Sequence, residues 1–354
     1  DQEKRKMMRQ LLELYNAVGI TSVCVGSGDG QQLEMYKKMS ADGELTVRIF
    51  QNIYFPGKIP AKDMLDTLKR IGYKTGDGDD WVRVGALKTV VDGGMLTGTA
   101  YLNEGWGEQA QKLFGFADPH YRGELFFSRK ELETLISAAR ETGWKFTAHV
   151  TGGGGVDTLL AAFEDADRSA SIKQDRFSII HGNFFSQEAI RKMAAMGIYA
   201  DMQPDWFYKD GNGLLRILGK ERLNNFHPYR SLWDAGIMVG GGSDHMAKLD
   251  PDLSINPYNP FLSIWSVVAR KTENGTSINP GQALSRKEAL QMYTINNAYA
   301  SFEENSKGSI EPGKLADLVV LSDDILSCPE DDIRNMKVLL TMVNGRVVYK
   351  KDPK

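Results

Sequence analysis

Two cysteines in 354 residues are too few for a disulfide framework. Cys24 lies inside an apolar, strand-like run and Cys328 in a loop before Pro329, so both read as plain free thiols. No apolar run reaches the roughly 18 to 20 residues that a membrane span needs, and residues 1–9 are charged, without the apolar core of a signal peptide. Neither sign of charge dominates: 43 Lys and Arg face 46 Asp and Glu, a net of -3. Long-range attraction to nucleic acid or to an anionic membrane is therefore disfavoured. Histidine is sparse as well, five in all and none before His120. Repeats and low-complexity tracts are absent. The compartment stays open between cytoplasm and secretion.

What the chain does contain is enough apolar sequence, 42%, for one large core or two modest ones in an ordinary soluble protein. Residues 6–18 carry Met7, Met8, Leu11, Leu12, Leu14, Tyr15 and Val18, an apolar stripe of helical period closed by Gly19. Strand patterns follow near 21–25, 46–52, 87–92, 145–150, 177–181, 198–202 and 237–240. Between them lie helical patterns near 61–71, 128–142, 156–166, 187–196 and 229–235. This alternation predicts repeated βαβ units with a parallel sheet, an α/β barrel. Seven strands are one short of a closed barrel, and the chain opens on a helix. The expectation is that the first barrel strand lies upstream of Asp1, leaving a gap whose unpaired backbone edges favour association or disorder.

Beyond residue 242 the pattern changes. Helices are expected over 258–270 and 286–300, then a turn and a buried strand within 308–321, and a hairpin across Asn344 and Gly345. The division predicted is a barrel over 1–305 and part of a small β module over 306–354.

Three strand patterns end in a polar residue where a strand runs into a loop: His149, His181 and, past Gly240 to Gly242, Asp244. Side chains at the carboxyl ends of parallel barrel strands converge on one mouth, so two imidazoles and a carboxylate from three strands could hold and use a metal ion. That placement points to a metal-dependent hydrolase.

A set of motifs, in order, resembles the amidohydrolase superfamily, and within it the branch called amidohydrolase family 3. They are Leu87 to Leu102, His149 with its glycine loop, Ile180 and His181, Met202 to Pro204, Pro228 to Leu232, Gly242 to Asp244, Tyr293 to Asn296, and Lys307 to Val320. The resemblance implies a distorted (β/α)8 barrel with a small β-sandwich. It implies one or two divalent metals, usually zinc, that activate a water for attack on an amide or related C-N bond of a small-molecule substrate. His149 and His181 match ligands from the family's fifth and sixth strands, Lys88 matches the lysine often carboxylated to bridge two metals, and Asp244 matches the proton-transfer residue. The family's His-x-His pair has no counterpart here, and Gly152-Gly153 stands where Gly-Asp is usual. Either sequence outside this chain completes the metal site, or the chain is a catalytically silent relative with a binding or regulatory role. A homo-oligomer is compatible with both.

Each residue also has a plainer reading: His149 and His181 as satisfied core histidines, Lys88 as an ion-paired lysine, Asp244 as a loop cap. His120, His227 and His245 lack a matching context and read as structural or substrate-facing. Gly152 to Gly155 before a helix could cradle a phosphate on exposed N-H groups, but the spaced-glycine fingerprint is missing. Trp206, Phe207 and Tyr208 read either as an apolar substrate pocket or as loop packing.

Overall fold

Near-continuous apolar runs in strands demand burial on both faces, and every strand of the large sheet except the first obtains it. The computed structural model, which describes residues 2–246 and 248–352, places seven parallel strands side by side in sequence order. They are β1 (Ser22–Gly28), β2 (Arg48–Tyr54), β3 (Val82–Val90), β4 (Phe146–Val150), β5 (Ser178–His181), β6 (Tyr199–Met202) and β7 (Val239–Gly241). Among the described residues β1 pairs with β2 alone and β7 with β6 alone, so the curled sheet is an open half-barrel of seven strands. Among the described residues no helix is long and apolar enough to cross a membrane.

The helices are α1 (Gln2–Ala17), α2 (Gly30–Ala41), α3 (Ala61–Lys69), α4 (Glu108–Phe114), α5 (Arg129–Glu141), α6 (Gly153–Ser169), α7 (Gln187–Met196), α8 (Pro204–Arg222), α9 (Tyr229–Asp234), α10 (Pro260–Ala269), α11 (Arg286–Met292) and α12 (Ile295–Ala300). Local chemistry sets their ends. A capping box between Ser128 and Glu131 opens α5. The Ser186 hydroxyl accepts from the Ala189 N-H to open α7, and Gly197 at φ +67° closes it. Between them, Ile190, Met193 and Met196 turn one face of α7 into the core. At the centre, Phe146, Phe163 and Phe177 pack with ring centroids 5.4 to 6.2 Å apart. Truncating Phe146 to Ala is expected to cost ~3–5 kcal/mol through lost burial and the cavity left behind.

The expected helix over 286–300 is two helices. Thr294, at φ -127° and ψ -97°, breaks it. The break turns α12 against β7, where the Asn296 amide donates to the Val239 carbonyl (2.8 Å). Asn297 accepts from the Gly241 N-H (3.2 Å) and donates to the Gly241 carbonyl (2.8 Å). Trp206, Phe207 and Tyr208 lie in a helix, not a loop: Pro204 at the first turn of α8 is the signal for a helix start.

A separate antiparallel sheet runs β10 (Arg346–Lys350), β9 (Val338–Val343), β8 (Leu318–Leu321). Asn344 and Gly345, both at positive φ, make the expected hairpin turn. β8 is half-exposed, with Val320 open to solvent, where a buried strand was expected. It is an edge strand with β9 as its one neighbour. Asp317, just before β8, forms a bidentate ion pair with Arg48 on β2, at 2.6 and 2.9 Å, and both side chains are buried.

Candidate active site

β3, β4 and β5 run parallel in register, Lys88 opposite Thr147 and His149 opposite Ile180, so their carboxyl ends deliver side chains to one mouth. His149 is the penultimate residue of β4 and His181 the last of β5. Their rings meet edge to face with centroids 4.6 Å apart and planes at 77°. His149 Nε2 lies 3.2 Å from the Gly93 carbonyl oxygen, and His181 Nδ1 lies 2.6 Å from Gln203 Oε1. The Trp206 indole stacks on His181 at 4.2 Å and 14°.

Burial keeps both rings neutral. It lowers His149 to about 4, with the nearby Lys88 charge adding to the effect, and it takes His181 well below its usual range, helped by His149. Lys88, buried on β3, is lowered by desolvation and partly restored by Asp244. Asp244 sits at the rim, open on one side and crowded by protein on the other. That crowding raises its carboxyl to about 6 against the pull of Lys88. Asn256 Nδ2 holds the Asp244 carbonyl at 2.6 Å.

His181 at φ +76° and Asp244 at φ +52° both occupy the left-handed region. Side chains there are strained by ~1–3 kcal/mol, and such strain collects at functional positions. Two of the four matched residues therefore carry an unfavourable backbone at the mouth.

The glycine loop after His149 is no phosphate cradle. Its Thr151 and Gly152 N-H groups already hold a carboxylate at 2.8 Å, that of the fully buried Asp92, which also accepts from Tyr101 N at 2.9 Å. The four glycines answer to space instead. A Cβ at Gly152 would lie 2.1 Å from the Tyr101 carbonyl oxygen, and one at Gly155 2.8 Å from Asp92 Oδ2. Burial raises Asp92 to about 7 against these hydrogen bonds.

Of the other histidines, His245 bonds to Tyr15 on α1 at 2.9 Å, and its ring lies 4.6 Å from Tyr258. His227 is buried against Tyr229, 2.9 Å from its hydroxyl. His120 belongs to a turn in which its backbone N-H donates to Asp118 Oδ1. Gln203 was the residue that sequence reasoning passed over, although it stands in the Met202 to Pro204 motif.

Two neutral imidazoles suit a divalent cation of borderline softness, but a catalytic zinc takes about three protein ligands. Among the described residues no three His, Cys, Asp or Glu side chains gather at one point. The donors present fill part of a coordination shell, with Lys88 the one further candidate.

Residues 1–349 match the amidohydrolase family. The Bacillus subtilis (strain 168) protein YtcJ, named as an amidohydrolase, is 29% identical over 322 residues, which cover 90% of this chain and 55% of that protein. The N-substituted formamide deformylase of Arthrobacter pascens is 29% identical over 350 residues, covering 98% of this chain and 60% of the enzyme. The chain thus spans less than two thirds of either relative. An uncharacterized metal-dependent hydrolase from Pyrococcus furiosus shares the fold, with a TM-score of 0.72 at 22% identity over 92% of this chain and 61% of that one.

Proposed function

We propose, on the premise that the chain belongs to the amidohydrolase family, that it serves as a metal-dependent hydrolase of an amide or other C-N bond in a small molecule. The observation that carries this reading is the meeting of two neutral imidazoles, His149 and His181, at the mouth where Lys88 and Asp244 also arrive. A bound divalent metal, with zinc the first choice, supplies Lewis acidity that lowers the pKa of water towards 7 and polarises a carbonyl.

The chain's own residues have distinct tasks. His149 and His181 hold the cation through their bare ring nitrogens. Lys88 would contribute after its ammonium gave one proton to solvent and its free Nζ bonded to the carbon of CO2 with loss of a second proton, leaving a carbamate whose two oxygens share the negative charge and serve as donors. Asp244 takes a proton from the attacking water and returns it to the leaving nitrogen, work that contributes on the order of 10²- to 10⁴-fold to rate. The division into a barrel over 1–305 and a β module over 306–354 belongs to the same reading.

The test is metal content beside hydrolysis. Purified wild type, His149→Ala, His181→Ala and Asp244→Asn are compared by elemental analysis and by turnover of an N-substituted formamide, the substrate class in one relative's name. Both histidine variants should lose metal. Asp244→Asn should keep it and lose most of the turnover. Equal, negligible metal in all four proteins overturns the reading in favour of a silent relative.

A further inference from the structure

His181 is a terminal strand residue whose ring nitrogens face opposite ways, so what it can hold depends on which nitrogen carries the proton. The structure supplies one polar partner: Gln203 Oε1 at 2.6 Å from Nδ1. A glutamine amide can face either way, so that distance alone leaves donor and acceptor undecided. The other end of the amide decides it. Gln203 Nε2 lies 3.2 Å from the Asp201 backbone carbonyl and 3.1 Å from Asp201 Oδ1. A carbonyl oxygen only accepts, so the NH2 group must face Asp201 and the amide oxygen must face His181. His181 is then the donor, through Nδ1-H, and its Nε2 is bare.

Everything around this contact fixes it in place. Gln203 is 4% exposed and His181 5%. Gln203 sits between the end of β6 and Pro204, which opens α8, so its backbone is held at both sides. Trp206, three residues on, covers one face of the imidazole and His149 meets it edge on, which together hold the plane of the ring.

We infer that Gln203 is a positioning residue: anchored on Asp201, it holds His181 in the Nδ1-H tautomer and so aims the bare Nε2 into the mouth. The inference rests on the proposed metal site for its purpose, but not for its measurement. Metal-ligating histidines commonly give their second ring nitrogen to such a partner, and loss of the partner typically weakens metal binding 10- to 100-fold.

The experiment reads the tautomer directly. Protein labelled with 15N in its histidine rings is examined by NMR through long-range proton couplings, with the His181 signals identified by their loss in His181→Gln. Wild type should show the proton on Nδ1 and an unprotonated Nε2. Gln203→Leu, which fills the space without an acceptor, should lose that preference. Gln203→Glu, which keeps an oxygen facing the ring, should restore it. In parallel, Zn(II) alone is titrated against a competing chelator: Gln203→Leu should bind about 10- to 100-fold more weakly than wild type, and Gln203→Glu should recover most of the loss.

A wild-type His181 protonated on Nε2 overturns the inference, as does a tautomer unchanged by Gln203→Leu. Should Gln203→Leu fail to fold, the wild-type tautomer and the Gln203→Glu spectrum still decide. If the tautomer is as stated while wild type takes up no zinc, the proposed function fails and the positioning role of Gln203 stands.

Discussion

The two edges of the open sheet are built differently. At β7 all three residues are buried, and α12 covers the edge that faces away from β6. The Val239 carbonyl and the Gly241 N-H and carbonyl, which a further strand would take, are taken instead by Asn296 and Asn297. At β1 four consecutive residues, Cys24 to Ser27, are half-buried or exposed, and among the described residues no side chain bonds to the backbone of that free edge. Side chains span the two sides, among them Tyr15 from the helix before β1 and His245 from the loop after β7. An edge strand is a template for unwanted pairing unless something covers it. Here the edge beside Asp244 is protected by sequence-specific amides, and the other is not.

The scale for this comparison comes from a position remote from both edges. Asp92 lies two residues past the end of β3 and accepts three backbone N-H groups, those of Thr151 and Gly152 in the loop that leads into α6 and that of Tyr101 in the segment after β3. Asp92→Ala strands three buried donors at ~1–3 kcal/mol each, partly offset by removing a buried carboxyl whose charge was itself costly. A loss of ~3–5 kcal/mol in urea unfolding is expected, the largest effect among these variants. A loss under about 1 kcal/mol shows that water reaches the loop and replaces the carboxylate.

Asn297→Leu tests the covered edge. It leaves the Gly241 N-H and carbonyl without partners and removes the acceptor of the Tyr199 hydroxyl. A cost of ~2–3 kcal/mol follows, and amides of β7 should exchange faster with deuterium than those of β4. If exchange at β7 is unchanged, the asparagines are not what protects it.

Acid provides a graded version of the same test. Arg230 on α9 pairs with Glu288 on α11, which ties the helix before β7 to the one before α12. Hydrogen bonds from Arg230, and secondarily from Ser285, hold Glu288 at about 2, below its ordinary 4.5. A carboxyl depressed in the folded state contributes stability that is complete above its unfolded pKa and fades as pH falls towards the folded one. The window is therefore about pH 4.5 to 2. Solvent reaches both side chains, so the contribution is discounted to about 1 kcal/mol. Glu288→Gln should flatten the acid limb of the stability curve by that amount. An unchanged limb assigns the acid loss to other carboxylates.

The half of this architecture with local signals was legible in the sequence. Apolar runs located all seven strands, and strand-end positions marked His149 and His181, whose rings meet. What escaped depends on contacts between distant residues. β3 begins at Val82 rather than near Leu87 and runs through Gly85, a residue type that is depleted in strands. In fact a Cβ there would meet Asn52 Oδ1 at 2.4 Å, and the strand needs glycine to lie close to β2. The bond from Gln203 to His181 spans 22 residues and that from Asp92 to Thr151 spans 59. Neither leaves a periodicity to read. The edge cover at β7 was hidden for the same reason: Asn296 and Asn297 look like interruptions in a helix until Val239 and Gly241 are seen opposite them.

The smallest expected effect lies at the uncovered edge. Ser27 on β1 is exposed, so Ser27→Lys meets no packed neighbour and should alter stability by less than about 0.5 kcal/mol. A lysine on an edge strand blocks strand pairing between molecules, because its charge resists desolvation in a sheet-to-sheet contact. Sedimentation velocity across a range of protein concentrations should therefore show less association for Ser27→Lys than for wild type at nearly equal stability. Asn297→Leu should move the other way on both measures. If Ser27→Lys associates as wild type does while Asn297→Leu associates more, the β1 edge is already out of reach of other molecules and the two edges differ in chemistry but not in consequence. If neither variant changes association, the seam between β1 and β7 is closed by the Tyr15 and His245 contact, and Tyr15→Phe, which deletes the hydroxyl that His245 bonds, becomes the variant that opens it.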